Sequence, residues 1–507
     1  MNHEEFFGSL KVKIEEYLEK WGCPSVGLGV IYQDEVLFCD GIGLRDREKG
    51  LPATGKTLYQ IGSCSKAFTS AMCAKLVDEG KLSWDTPIRE IAPEVQFYDV
   101  FTSQNVTLRD MLSHRTGVPR HEYSWYGTDF NRKELVEHVK YLEPNQPFRT
   151  LFQYNNYGYV IAGHLIEKVT GKTYEENIHE TFFEPLGMTR STLYLDDIEG
   201  DEDHATPYGA PGEAFSGSKE VPFYRTKVED KSKGIGAPFA AAGAIDSCAE
   251  DMLKWVRFHL GDGEDAGKWE GKQILSKESF NELHKPSMLI RDRLDMPQDE
   301  TDISSYGLAW FVENYRGNKV VHHGGSINGF SAMTFMVPGI KLGVVAYTNM
   351  DGCQLHMSIC KTVADHFLGL SDSNWFERYY NYVQERREAN KKITVQLAGE
   401  KVEGTNPSHP LEAYVGEYAR PGYGYCAVSL DEGRLVLHFL GVEDHLDHYH
   451  YDTFVSADVI GEVPPGLPVH FHTAEVGGKI DALLMPLVLE KGGELVRFPK
   501  VTKEKEC

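Results

Sequence analysis

The sequence predicts an α+β fold, with an antiparallel sheet sandwiched by helices and a mostly helical lobe beside it, followed by a small all-β domain. Strand-like runs occur early, at residues 26–39, and return late, at residues 307–347, with helical segments between them. Beyond residue 410, strand signals alternate with glycine-rich turns. A chain of 507 residues also exceeds one ordinary core, so at least two domains are expected.

The sheet begins with a predicted hairpin. Residues 26–32 and 36–39 are strand-like and flank a short polar turn. Further strands are predicted at residues 307–312, 320–321 and 342–347. These early and late strands must pair across the long helical insertion. The site is therefore expected between the sheet and the helical lobe.

A buried helix is predicted directly after Ser63. Apolar residues follow at helical spacing, with Gly80 as the stop signal: Phe68, Ala71, Met72, Ala74, Leu76 and Val77. Positions three apart share a helix face, so the Lys66 ammonium can lie beside the Ser63 hydroxyl and help remove its proton. The start of a helix also favours developing negative charge. The pair indicates an activated nucleophile, and a plain N-cap is the alternative for Ser63.

Two other motifs lack the context that their chemistry requires. Residues 216–219 repeat the pattern Ser-x-x-Lys, but in a Gly/Ser/Pro-rich stretch where no helix is expected to hold the pair together. Residues 50–57 match the phosphate-binding pattern Gly-x-x-x-x-Gly-Lys-Thr. A phosphate loop follows a buried strand and opens a helix, whereas here a charged run precedes the motif and strand-like residues follow it. We therefore interpret residues 50–57 as a turn between strands.

Tyr154 and Asn156 precede a predicted buried helix at residues 157–166. A phenol is a poor base unless a nearby cation lowers its pKa, and Lys66 can be that cation. The alternative is a core tyrosine with a turn asparagine.

His323, Gly324 and Gly325 lie between the strand-like residues 320–321 and 331–337. Glycines after a strand let a ligand approach the backbone closely. The alternative is a solvated strand end that carries a histidine pair.

These three elements, in this order, resemble the serine β-lactamase and penicillin-binding-protein superfamily, most closely its class C and D-aminopeptidase/esterase branch. The superfamily motifs are Ser-x-x-Lys, Tyr-x-Asn and Lys-Thr-Gly, the last often replaced by His-x-Gly. Here they fall on Ser63 to Lys66, Tyr154 to Asn156, and His323 to Gly325. Connecting segments at residues 107–119, 184–188 and 242–252 are also similar to that superfamily. The resemblance covers about residues 8 to 370 and implies a hydrolase domain over residues 1–372 with a β-lactamase/transpeptidase-like fold.

The resemblance also implies a mechanism. Ser63 attacks an ester or amide carbonyl, Lys66 and Tyr154 shuttle its proton, and Asn156 orients the substrate amide or the lysine. The backbone N–H groups of Ser63 and Ser326 hold the oxyanion, and water hydrolyses the acyl-enzyme. No metal or organic cofactor is required. The expected substrate is a small molecule or a short peptide, including D-amino-acid peptides and β-lactam-like compounds.

Two other functions remain open for the same residues. One is a catalytically silent relative that serves as a binding or assembly module. The other is an acyltransferase that passes the acyl group to an alcohol or amine instead of water. His323 stands where many relatives have lysine, so the resemblance favours an esterase or peptidase over a β-lactamase. Binding of a carboxylate substrate is then expected to strengthen below about pH 6.5, when His323 is protonated.

The chain after residue 372 is predicted to form a helix and linker at 373–409 and a small β domain at 410–507. That domain resembles the barrel-like lipocalin domain often appended to β-lactamase-related hydrolases, through residues 414–418 and 450–454. It either shades the cleft or pairs subunits, so a homo-oligomer is possible. His448 and His450 share one strand face, which leaves a metal site or a half-exposed polar face as interpretations.

Composition narrows the partners and the location. The net charge of -24, from 52 basic and 76 acidic residues, argues against nucleic acid or an anionic membrane as a partner. The first residues lack the pattern of a signal peptide, and no stretch is long enough to cross a membrane. Nine scattered cysteines suit reduced thiols better than a disulfide framework. A cytoplasmic location is therefore expected.

Overall fold

A computed structural model describes residues 2–126, 128, 130–194, 197–198, 200–209, 238–291, 300–327, 329–350, 352–390, 392–457, 466–476, 478–488, 490 and 494–501. Within these residues the chain forms two large antiparallel sheets, one of nine strands and one of eight. Helices pack on the nine-stranded sheet, and the eight-stranded sheet follows them in the sequence. The predicted α+β fold with a C-terminal all-β domain is confirmed.

The nine-stranded sheet has the order β3-β2-β1-β13-β12-β11-β10-β9-β8. Its strands are β1 Ser25–Tyr32, β2 Glu35–Asp46, β3 Leu51–Pro52, β8 Met288–Leu289, β9 Thr301–Tyr306, β10 Phe311–Tyr315, β11 Asn318–Ile327, β12 Phe330–Val337 and β13 Leu342–Thr348. Two short ribbons stand apart from it, β4 Tyr59–Gln60 with β5 Asp246–Ser247, and β6 Lys268–Trp269 with β7 Lys272–Gln273.

Pairing of β1 with both β2 and β13 joins the first strands to the last ones across the helical insertion, as predicted. The hairpin turns through Gln33 and Asp34 at φ 48° and 75°, the left-handed conformation that a tight hairpin requires. One strand prediction is wrong in position. Residues 307–310 form the turn between β9 and β10, and Ala309 there has φ 70°.

Most of the described helices lie in the middle of the chain, one precedes the first strand, and three follow the last strand of the nine-stranded sheet. The helices are α1 His3–Trp21, α2 Lys66–Asp78, α3 Val100–Asn105, α4 Leu108–Leu112, α5 Arg132–His138, α6 Tyr157–Thr170, α7 Tyr174–Ile178, α8 Glu184–Leu186, α9 Ala240–Gly243, α10 Ala249–His259, α11 Lys277–Leu283, α12 Leu355–Phe367, α13 Trp375–Asn390 and α14 Ile393–Ala398. One apolar cluster lies between the sheet and the helical lobe, and a second lies under α1, α12 and α13 on the other face. Both faces are therefore covered.

The second sheet pairs its strands in simple sequence order, from β14 to β21. They are β14 Gly416–Arg420, β15 Gly424–Asp431, β16 Arg434–Phe439, β17 Val442–His450, β18 Thr453–Ser456, β19 Pro468–Thr473, β20 Ile480–Val488 and β21 Glu494–Pro499. The Val501 N–H donates to Glu417 O at 2.7 Å, and Tyr418 bridges Lys500, so the last strand returns to the first. The sheet is a nearly closed, barrel-like domain.

The two other sequence motifs fall at residues 50–57 and 216–219. Residues 50–57 run from the short strand β3 through a turn to strand β4 and do not open a helix, so the turn interpretation is confirmed. Residues 216–219 lie outside the described part of the chain. No helix among the described residues is long and apolar enough to span a bilayer.

The histidine run near residue 450 forms ordinary polar contacts. The His448 Nε2 lies 2.9 Å from Tyr451 O, and the Asp452 carboxylate accepts from the Ser408 N–H at 2.8 Å. Within the described ranges, no group of three His, Cys, Asp or Glu residues is arranged to hold a metal ion. These contacts favour the polar strand face over the metal site.

Candidate active site

Ser63 lies in a short 3-10 turn, Gly62–Ser65, that leads directly into α2 at Lys66. The Lys66 Nζ is 2.8 Å from Ser63 Oγ and 2.7 Å from Ala242 O. Lys66 is fully buried, and burial lowers its pKa well below the usual range, with the positive charge of Arg120 acting in the same direction. A buried lysine in this state favours the neutral amine, which is the form that accepts a proton.

Tyr154 faces the same pair. The Lys66 Nζ lies 5.0 Å from its ring centroid, and the Arg120 guanidinium carbon lies 5.1 Å from that centroid. Burial raises the pKa of Tyr154, and the opposing hydrogen bond with Ser63 and the charge of Arg120 do not outweigh it. The expectation that Lys66 lowers the pKa of Tyr154 is therefore wrong, because removing the phenolate from water costs more than nearby cations return. Tyr154 is a neutral phenol that can donate a proton.

Asn156 is buried at the start of α6, behind this group. Its Nδ2 donates to Glu122 Oε1 at 3.2 Å, and its buried Oδ1 has no hydrogen-bond partner among the described residues. Glu122 Oε1 also accepts from Arg120 Nε at 2.6 Å. The described hydrogen bonds of Lys66 go to Ser63 and Ala242 rather than to Asn156. Arg120 and Glu122 were missed by sequence reasoning, because they match no motif and are placed beside the site by tertiary contacts.

His323 is not a solvated strand end. The side chain is 1 % exposed, with Nδ1 2.6 Å from Gly324 O and Nε2 2.8 Å from the Tyr306 hydroxyl. Burial lowers the pKa of His323 to about 3, with the charge of Lys66 as the next cause. The expectation that His323 becomes a cation below about pH 6.5 is therefore wrong, because the ring has lost its hydration without gaining an acidic partner.

A first prediction concerns this histidine. Because the pKa of His323 lies at about 3, its charge does not change between about pH 5 and pH 8. The ratio of kcat/KM for a carboxylate-bearing ester to that for its neutral methyl-ester analogue should stay constant over this range. The measurement is a pair of pH profiles on wild-type protein. A ratio that rises below about pH 6.5 would restore His323 as a titrating anion-binding group.

Glycines allow β11 to lie directly against the Ser63 turn. A Cβ on Gly325 would stand 1.9 Å from Ile61 O and 3.1 Å from Ser63 N. Gly62 has φ +49°, and a Cβ there would stand 2.9 Å from Ser326 N. With no side chain between them, the backbone of the Ser63 turn contacts that of Gly325 and Ser326. This contact brings together the two segments that were predicted to hold an oxyanion.

A cavity of about 370 Å³ opens beside these groups. Its lining includes Ser63, Arg120, Tyr154, His323, Gly324, Gly325 and Ser326. Cys64 points away from it, since its Sγ contacts His323 O at 3.1 Å, as expected for the residue after Ser63. The structure thus brings together the predicted serine, lysine, tyrosine and glycine-rich strand, and it links Asn156 to them through Glu122.

Comparison with known proteins gives two family matches. The family model described as Beta-lactamase matches residues 10–355. A domain of unknown function, DUF3471, matches residues 400–498. The first match covers more than half of the chain, and the second covers the barrel-like domain.

Among curated relatives, unguisins hydrolase ungD' of Aspergillus campestris is 28% identical over 447 residues, which covers 84% of this chain and 78% of the relative. Protein flp of Staphylococcus aureus is 23% identical over 341 residues, covering 67% and 62% of the two chains.

Two solved structures share the fold. The octameric penicillin-binding protein homologue from Pyrococcus abyssi has a TM-score of 0.58 at 22% identity, covering 97% of this chain and 100% of that chain. A D-stereospecific amidohydrolase from Streptomyces sp. has a TM-score of 0.52 at 20% identity, covering 68% of this chain and 94% of that chain.

Proposed function

Because this chain belongs to the beta-lactamase family, we propose that it is a serine hydrolase that cleaves an ester or amide through an acyl-enzyme on Ser63. The observation that carries the proposal is the 2.8 Å contact between Ser63 Oγ and the buried Lys66 amine. A nucleophile needs a base that is neutral before it acts, and burial lowers the pKa of Lys66 in that direction. Two similar proteins, unguisins hydrolase ungD' and the D-stereospecific amidohydrolase, are named for hydrolytic reactions, which supports the same class of reaction.

In the first half-reaction, Lys66 takes the Ser63 proton as Oγ forms a bond to the carbonyl carbon of the substrate. The carbonyl oxygen becomes negative and accepts hydrogen bonds from the backbone N–H groups of Ser63 and Ser326. The close approach of Gly62 and Gly325 to these segments supports that assignment. Aligned donors that need no rearrangement are effective because they already face the charge that develops.

Collapse of this intermediate breaks the bond to the leaving alcohol or amine, which must receive a proton. Tyr154 is suited to deliver it, because its hydroxyl is hydrogen-bonded with Ser63. Burial raises the pKa of Tyr154, so the phenol still holds its proton when the leaving group needs one. Tyr154 then regains a proton from the Lys66 ammonium. In the second half-reaction a water loses its proton to the same groups and adds to the acyl carbon, which releases the acid and restores Ser63.

The charges beside Ser63 support a neutral ester or amide as substrate, because the Arg120 guanidinium that lines the cavity is paired with the Glu122 carboxylate at 2.6 Å. The neutral His323 does not supply a cation for a substrate carboxylate. Asn156 offers the buried Oδ1 as an acceptor, which suits the N–H of an amide-bearing substrate. We therefore propose a small-molecule ester or a short peptide as the substrate, with D-amino-acid peptides and β-lactam-like compounds among the candidates.

Labelling of the nucleophile tests the proposal. Wild-type protein and Ser63→Ala are each treated with a fluorophosphonate and, separately, with a penicillin, and intact masses are measured. A fluorophosphonate adduct that requires Ser63 is the expected result. The penicillin arm separates β-lactam-recognising proteins from esterase-like ones. If neither reagent adds to wild-type protein, the chain is better explained as a silent binding module.

A second prediction concerns the pH dependence of turnover. Because burial lowers the pKa of Lys66, its neutral base form persists well below pH 10.5. As the pH is raised, kcat/KM for a neutral ester should therefore reach its plateau well below pH 10.5. Lys66→Arg puts a permanent cation where the neutral amine is needed and cannot act as a base, so kcat/KM should fall by about 10³-fold. The matched control is Lys75→Arg, on the more exposed face of α2, which should retain activity. An acid limb near pH 10.5 in the wild-type profile would contradict the lowered pKa of Lys66, and wild-type activity in Lys66→Arg would exclude Lys66 as the base.

A further inference from the structure

We propose that the C-terminal β domain helps to position the active-site residues. Its Tyr423 and Glu490 contact the 118–124 loop, and that loop positions Asn156 and Arg120 beside Ser63. Tyr423 is thus a positioning residue. The inference rests on the proposed hydrolase function and assigns a role to the domain that follows the hydrolase fold. Its evidence is a continuous chain of contacts from the barrel to the cleft.

The inner side of the 118–124 loop contacts the site. Glu122 holds Asn156 Nδ2 at 3.2 Å and Arg120 Nε at 2.6 Å. Asn155 Nδ2 donates to Val118 O at 3.2 Å, next to the Tyr154 and Asn156 positions. Movement of this loop would therefore move the side chain that holds Asn156, as well as the guanidinium that lies over Tyr154.

The outer side of the loop is held by the barrel through His121. His121 Nε2 lies 3.0 Å from Glu143 O, and Nδ1 lies 2.5 Å from the Tyr423 hydroxyl. A carbonyl only accepts, so Nε2 carries the proton and donates to Glu143 O. Burial lowers the pKa of His121 to about 4, so the ring is neutral and Nδ1 is an acceptor. The Tyr423 hydroxyl is therefore the donor. It supplies the hydrogen bond that the buried His121 Nδ1 requires.

The backbone of the loop depends on this support. His121 has φ 46° and ψ 42°, a left-handed conformation that a β-substituted residue adopts at a cost. Such a conformation persists only where surrounding contacts hold it. The contact from Tyr423, itself 2 % exposed, is one of those that hold His121.

Glu490 makes the second attachment. The carboxyl of Glu490 accepts a hydrogen bond from the backbone N–H of Arg120 and lies near the charges of Arg120 and Glu122. Burial is the largest influence on this carboxyl and raises the pKa of Glu490. The Oε1 atom is buried without a hydrogen-bond partner among the described residues. A barrel residue thus reaches the same loop from a second strand end, beyond β20.

The turn that carries Tyr423 is docked closely on the helical lobe. A Cβ on Gly422 would stand 2.9 Å from Tyr141 Cβ, and a Cβ on Gly424 would stand 3.7 Å from Phe130 Cζ. The Arg420 guanidinium is 3.7 Å from the Glu143 carboxylate, beside the carbonyl that receives His121. Because these contacts fix the barrel against the helical lobe, they also fix the position of Tyr423.

Tyr423→Phe tests the inference because it removes one hydroxyl and leaves the ring that packs against Phe498. The matched control is Tyr425→Phe, in the same turn region but 75 % exposed. Each protein is assayed with p-nitrophenyl acetate and with the N-acetylglycine p-nitrophenyl ester, whose amide N–H is the donor that the proposed function assigns to Asn156 Oδ1. In Tyr423→Phe, kcat/KM for the amide-bearing ester relative to the acetate should fall about tenfold, as for loss of one buried hydrogen bond. Tyr425→Phe should keep the wild-type ratio.

Trypsin provides a readout that does not depend on activity. A released 118–124 loop should be cleaved faster after Arg120 in Tyr423→Phe than in wild type or Tyr425→Phe. An unchanged ester ratio with an unchanged cleavage rate overturns the inference, and so does an equal loss on both esters with a lowered Tm, which marks a purely structural role. If wild-type protein is not labelled at Ser63, the hydrolase proposal fails, while the cleavage rates still decide whether Tyr423 holds the loop.

Discussion

The Ser63→Ala variant is expected to lose turnover by about 10⁴-fold or more, because the acyl-enzyme forms on the Ser63 hydroxyl that this change removes. Adding Lys66→Ala to this variant should change the rate little further. The lysine acts by accepting the serine proton, so its contribution disappears once the serine is gone. The measurement is kcat on a p-nitrophenyl ester for the two single variants and the double variant. Lys66 is 2.8 Å from the hydroxyl that it serves, so the effects should be strongly non-additive.

A matched control for this series is Ser216→Ala, which removes the serine of the second Ser-x-x-Lys pattern. That serine is expected to have no part in catalysis, so turnover should remain at the wild-type rate. Substantial turnover in Ser63→Ala would exclude the acyl-enzyme on Ser63. Loss of turnover in Ser216→Ala would show that the wrong copy of the motif has been assigned.

Gly325→Ala should have the second large effect. The added Cβ would stand 1.9 Å from Ile61 O, a backbone atom that cannot swing aside. Either β11 or the Ser63 turn must move, which we expect to cost about 3 kcal/mol or more in unfolding free energy. Because the same contact brings Ser63 and Ser326 together, fluorophosphonate labelling of any folded variant should also slow by about 100-fold. Urea unfolding and the labelling rate check the two parts.

Gly324→Ala is the matched control for the stability of Gly325→Ala. A Cβ on Gly324 meets the Met333 Cε at 3.2 Å, the free end of a flexible side chain. The unfolding free energy of Gly324→Ala should therefore stay within about 1 kcal/mol of wild type. Equal destabilisation by the two substitutions would contradict the close backbone contact at Gly325.

Sequence reasoning succeeded where neighbours in the chain carry the signal. The helix after Ser63 and the hairpin at residues 26–39 were both predicted from local periodicity. It failed at residues 307–310, where apolar residues that resemble a strand form the buried turn between β9 and β10. Burial of a turn by elements distant in sequence leaves no periodic signal, so that strand was misplaced.

The electrostatic errors have a related origin. The sequence suggested that Lys66 lowers the pKa of Tyr154 and that His323 titrates near pH 6.5. Both expectations treated the side chains as hydrated, whereas burial raises the pKa of Tyr154 and lowers that of His323 to about 3. Desolvation depends on packing from every direction, which a linear pattern does not contain.

By itself, the sequence determined the order of the elements, the α+β class and the residues that meet at the cleft, Ser63, Lys66, Tyr154 and the glycine-rich strand after His323. The order and the class follow from local periodicity, which is a property of contiguous residues, whereas the set of cleft residues follows from the resemblance of three motifs to a known superfamily. Only the tertiary structure decided the charge states of those residues, the link from Asn156 to Glu122 and the contact of Tyr423 with His121. These depend on side chains that are far apart in the chain and share one desolvated environment, so they are settled when the sheet, the lobe and the barrel pack together.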